Sequence, residues 1–61
     1  MTNTDRVAAV LADNEWHLQR RLWGAVGFPE WFHMTIRAMV KSGLVEESHD
    51  PYGSTWYRQK Q

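Results

Sequence analysis

The chain has sixty-one residues, with seven basic and seven acidic side chains, no cysteine and no formal net charge. A chain this short makes one domain, residues 1–61, and buries only about 60% of its unfolded surface, which argues against a deep multistep active site. The absence of thiols excludes disulfides and thiolate zinc sites, and the longest apolar run, residues 7–12, falls far short of the roughly 20 residues of a membrane span.

The first helix is expected at about residues 4–12. Thr2, Asn3 and Thr4 offer capping oxygens, Asp5 suits the positive helix end, and Val7, Ala8, Val10 and Leu11 follow helical spacing. Asp13 and Asn14 end it. Glu15, Trp16 and His17 read as a short extended bridge. A second helix follows at about 18–26, with Leu18, Leu22 and Ala25 on one face and Arg20 on the other. Gly24 inside it costs up to about 1 kcal/mol relative to Ala, which suggests a close approach or fraying near a turn.

Val26, Gly27 and Phe28 form a tight turn. Pro29 and Glu30 suit the first turn of a third helix at about 29–42, where Phe32, Ile36, Met39 and Val40 make an apolar stripe. Gly43 fits the position just past its end, with Lys41 in the last turn. Residues 44–48 read as a strand. Asp50, Pro51 and Gly53 carry the signature of a type I turn, and residues 54–58, rich in strand formers, return as the hairpin partner. Gln59, Lys60 and Gln61 form a polar tail. Phe32, Ile36 and Val40 are expected inside, against Val7, Val10, Leu11, Leu18 and Leu22. Trp16, Phe28, Trp56 and Tyr57 are also expected in the core, and Trp23 and Trp31 are expected to stand outward.

This order resembles a winged helix-turn-helix domain, an α+β fold of three helices with a C-terminal β-hairpin wing at about 44–58. The resemblance rests on the Gly27 turn, the stripe of the third helix, the junction Gly43-Leu44-Val45 and the aromatic return strand Thr55-Trp56-Tyr57-Arg58. It implies a small phage or prokaryotic regulator, repressor or excisionase that binds double-stranded DNA in the cytoplasm of a prokaryotic cell or infected host. The start of the chain, without a basic segment leading into a long apolar one, agrees with that compartment. The family implies that the third helix enters the major groove and that the start of the second meets phosphates.

Charge is segregated along the chain. Residues 1–16 carry Asp5, Asp13 and Glu15 against Arg6; residues 17–45 carry Arg20, Arg21, Arg37 and Lys41 against Glu30; residues 46–61 carry Glu46, Glu47 and Asp50 against Arg58 and Lys60. The middle is the basic part. A helical wheel puts Glu30, Met34, Arg37, Ala38 and Lys41 opposite the apolar stripe, with Trp31 and His33 on the flanks. Arg37 and Lys41 are like charges at i, i+4, which an anionic partner would relieve. The candidate DNA contacts are therefore Gln19, Arg20, Arg21, Glu30, Trp31, His33, Met34, Arg37 and Lys41, joined by Tyr52, Ser54 and Arg58 of the wing. A homodimer or cooperative array is expected, because one unit has a small footprint.

The competing expectation is a protein-interaction module using Trp31, Met34 and Ala38, without DNA binding. The three histidines lack metal spacing, and no nucleophile–base constellation stands out. The expectation is a binding protein, not an enzyme, with no cofactor.

Overall fold

The computed structural model describes residues 1–60; Gln61, the last residue of the polar tail, lies outside them. The elements are α1 (Asn3–Val10), continued by a 3₁₀ turn (Leu11–Asp13), then β1 (His17–Leu18), α2 (Gln19–Ala25), α3 (Phe32–Lys41), β2 (Val45–His49) and β3 (Thr55–Gln59). This is an α+β fold of three α-helices and a three-stranded antiparallel sheet, in the order β1-β3-β2. Among the described residues no helix is long and apolar enough to cross a membrane.

Local chemistry sets the helix ends. Thr2 caps α1: its hydroxyl accepts from the Asp5 amide at 3.1 Å, and the Asp5 carboxylate accepts from the Thr2 amide at 3.2 Å. Two of the orphan amides of the first turn are thereby satisfied. The chain leaves the 3₁₀ turn through Asn14, which sits in the left-handed region at φ 61°.

Helices α2 and α3 both end in the same six-residue device. Gly27 donates to Gly24 and Phe28 donates to Trp23, both at 3.0 Å; Gly43 donates to Val40 at 3.1 Å and Leu44 to Met39 at 2.9 Å. Each is a Schellman motif with glycine at positive φ, 91° at Gly27 and 84° at Gly43. In the first, the expected apolar contact is made by the Trp23 and Phe28 rings, edge-on with centroids 5.1 Å apart. Gly24 makes room for that ring: a Cβ there would lie 3.0 Å from Phe28 Cζ.

One cluster forms the core. Val7 and Leu11 come from the N-terminal helix and its 3₁₀ turn, Leu22 from α2, Phe32, Ile36 and Met39 from α3, Val45 from β2 and Tyr57 from β3. The stripe of α3 is the common surface against which the others pack.

Several expectations require correction. The third helix begins at Phe32, not near residue 29, because Pro29, Glu30 and Trp31 are used in the turn that follows Phe28. The second begins at Gln19, because Leu18 belongs to a strand: His17 and Leu18 pair with Tyr57 and Trp56, so the wing hairpin is part of a three-stranded sheet. The first α-helix stops at Val10, where tighter 3₁₀ bonding takes over. The strands run one residue later than expected, at 45–49 and 55–59. Within the stripe Met39 is buried and Val40 only half-buried; Val10, Leu18 and Trp56 are also half-buried, and Ala25 is exposed. Trp23 and Trp31, expected outward, are half-buried against the core, whereas Phe28 and Trp16, expected inside, are exposed.

Ile36→Ala and Leu22→Ala each empty a fully enclosed site and are expected to cost about 2–5 kcal/mol, measured by denaturant unfolding. So small a domain holds little more than that in total. Gly43→Ala isolates the backbone, since nothing lies within 4 Å of an added Cβ. A loss of about 1 kcal/mol is expected there from φ alone.

Candidate nucleic-acid interface

Packing the apolar stripe of α3 inward leaves Met34, Arg37, Ala38 and Lys41 exposed on its far side, with His33 beside them. Met34 is 81% exposed. Glu30 is exposed in the preceding turn, and Trp31 is held half-buried against the core at the head of the helix.

A groove separates the starts of α2 and α3 from the wing. Its larger part, about 520 Å³, has Arg20 and Trp23 of α2, His33 of α3 and Ser54 of the wing on its walls. A smaller part, about 290 Å³, runs between Arg37 of α3 and Glu47, His49 and Tyr57 of the sheet. Gln19, His33 and Thr55 border both parts, so the two are adjacent. The Gln19 amide nitrogen lies 3.5 Å from His33 Nδ1, a long and weak contact. The Trp23 indole is anchored by donating to the Pro29 carbonyl at 3.0 Å.

The wing tip is built by Asp50. Gly53 donates to the Asp50 carbonyl at 3.1 Å, and the Asp50 amide donates to Ser54 at 3.0 Å. Gly53, at φ 85°, supplies the left-handed residue that a three-residue hairpin loop requires. The Asp50 carboxylate accepts from the Tyr52 and Ser54 amides, both at 2.9 Å, and from the Trp56 indole at 3.0 Å. Tyr52 is left 91% exposed at the apex.

Strand alternation separates the remaining wing residues. Tyr57 and Glu47 are register partners on the face turned toward α3. Arg58 and Glu46 are partners on the opposite face, where Arg58 Nη2 donates to Glu46 at 2.7 Å and the guanidinium stacks 4.5 Å from the Trp16 ring centre. Burial pushes the Tyr57 hydroxyl up to about 12, and the Glu47 carboxylate adds to the rise, while Arg37 opposes it.

The candidate residues therefore divide. Gln19, Arg20, His33, Arg37 and Ser54 meet along the groove; Met34 and Lys41 continue the α3 face beyond it. Arg21 is exposed on α2 without lining either part, and Tyr52 stands at the tip. Arg58 lies on the other side of the sheet, committed to Glu46 and Trp16. Sequence reasoning left out Glu47 and Tyr57 as groove residues, although the alternation of Val45, Glu47 and His49 carried the signal.

No protein-family model matches the chain, and neither a curated protein nor a solved structure does.

Asp50 gives the wing an acid sensitivity. The hydrogen bond from the Trp56 indole, followed by those from the loop amides, holds its carboxyl below the ordinary value of 3.8. A group whose folded pKa is depressed stabilises fully above its unfolded value and loses that contribution as pH falls through the folded one. Trp56 fluorescence is therefore expected to report loosening of the wing below about pH 3.8, and Asp50→Asn is expected to remove that step.

Proposed function

We propose that the chain is a small winged helix-turn-helix regulator that binds duplex DNA, with α3 in the major groove and the β2–β3 hairpin as the wing. The observation that carries this reading is the exposed α3 face, where Arg37 and Lys41 stand opposite the Phe32/Ile36 stripe and the groove beside them is bordered by Arg20. An α-helix fits the major groove, and an Arg guanidinium can grip guanine O6 and N7 together. Lys41 and Arg20 serve as phosphate contacts, which add affinity and register without reading sequence. Met34 and Ala38 between them suit thymine methyl groups. Glu30 repels phosphate except where it accepts from a cytosine amino group. The reading involves no catalysis and no cofactor.

The protein acts as a homodimer or a cooperative array, since a single module of this size contacts few base pairs. The small footprint carries this expectation; Trp23 and Trp31 are half-buried against the core of the domain itself.

A second reading has one observation in its favour. Met34 is 81% exposed, and Phe28 is 60% exposed at the turn before α3. Large apolar side chains so open suit contact with another protein. In that reading Met34 and Ala38, with Trp31, are the working surface, and DNA is not bound.

Filter binding against salt separates the two. Lys41→Gln is expected to weaken binding to all duplexes alike and to lower the salt slope by about one unit, as one fewer counterion is released. Arg37→Gln is expected to cost about 1–3 kcal/mol on a selected site and to blur preference at one position. The DNA reading fails if wild type shows no salt-dependent binding to any duplex of a random pool. It also fails if binding survives loss of Arg37 and Lys41 together yet is abolished by Met34→Ala.

A further inference from the structure

The inner face of the wing places an acidic side chain beside the helix proposed to read DNA. Val45 is buried, and Glu47, two residues on, shares its side of the strand. Glu47 is the register partner of Tyr57, and its side chain is only 31% exposed. It lines the smaller part of the groove together with Arg37 and His33 of α3, Thr55 and Tyr57 of β3 and Gln19 at the start of α2. Arg37 does not neutralise it: among the described residues the ion pairs are His17–Asp13, His49–Glu47 and Arg58–Glu46. The partner of Glu47 is His49, whose Nε2 lies 3.3 Å from its carboxylate and whose Nδ1 lies 3.2 Å from the Thr55 hydroxyl.

We propose that Glu47 is a specificity-determining gate, whose charge keeps DNA phosphate out of the recess beside Arg37. The proposal rests on the DNA-binding reading above. A carboxylate repels every phosphodiester that settles against Arg37, but it does not repel the edge of a base. Arg37 can satisfy its charge with a backbone phosphate on any sequence or with a base edge on the right one. Glu47 penalises the first arrangement and spares the second, so it lowers non-specific affinity more than specific affinity. Such a repulsive element is a common source of discrimination.

The test compares wild type, Glu47→Gln and Glu15→Gln on a selected duplex and a scrambled one at pH 8. Glu15→Gln makes the same change in net charge outside the groove. Thermal unfolding confirms that each variant is folded. At pH 8 Glu47→Gln is expected to bind the scrambled duplex about fivefold more tightly than wild type, as expected for removing one like charge at about 4 Å in water. The selected duplex should gain less, so the specificity ratio falls.

A Glu47→Gln effect no larger than that of Glu15→Gln overturns the gate while leaving DNA binding intact. Absence of salt-dependent binding by wild type overturns the DNA reading itself, and the gate with it.

Discussion

The fold depends on burying Phe32 and Ile36. Both lie on one side of a ten-residue helix, and that side packs into the cluster shared by α1, α2 and the sheet. With no cysteine to form a disulfide, the roughly 1.5–3 kcal/mol gained by enclosing each such side chain is the main term holding the elements together. This constraint also determines what is left outside. A helix whose inner stripe is satisfied by three partners must show its opposite side to solvent, and here that side carries Arg37 and Lys41. The core and the candidate interface are two faces of the same ten residues.

How much of this the sequence made legible varied with how local the cause was. The α3 stripe, the Gly43 helix end and the Asp50–Gly53 turn follow from spacing or from side chains within a few residues, and all three were readable. Strand β1 was not, because two residues have no period; His17 and Leu18 are strand only because Tyr57 and Trp56 lie forty residues away to receive them. Trp23 was read outward from its helical phase. What holds it in is its bond to the Pro29 carbonyl and the Phe28 ring, and both belong to a turn whose shape no periodicity encodes. Arg58 looked free for DNA because its partner, Glu46, is twelve residues distant.

Phe28 shows how that turn is held. It adopts a left-handed conformation at φ 55°, which costs an L-residue roughly 1–2 kcal/mol. Gly27, at φ 91°, brings the Phe28 amide to the Trp23 carbonyl, and the Phe28 ring then meets the Trp23 indole over Gly24. An edge-to-face aromatic pair contributes about 0.5–1.5 kcal/mol beyond its area, enough to offset much of the strain. The absence of a side chain at Gly24 is thus tied to the presence of a large one at Phe28. Together they fix the angle at which the chain leaves α2, and hence the direction in which α3 presents its outer face.

A chain of zero net charge is an unpromising nucleic-acid binder when judged by its total, but the total hides how the charges are placed. Most of the acidic groups have internal tasks. Asp5 caps α1, Asp13 binds the Glu15 amide and His17, Asp50 builds the wing tip, and Glu46 pairs with Arg58. These roles do not erase their charge, but each engages its carboxylate with groups of the chain itself. Arg20, Arg21, Arg37 and Lys41 enter none of the ion pairs among the described residues and stay exposed on α2 and α3. A phosphate responds most to the charges within a Debye length of it, about 8 Å at physiological salt. Glu47 is the exception. It is the one carboxylate that the sheet turns toward the basic helix, and its position there decides how much of the positive surface any passing phosphate can use.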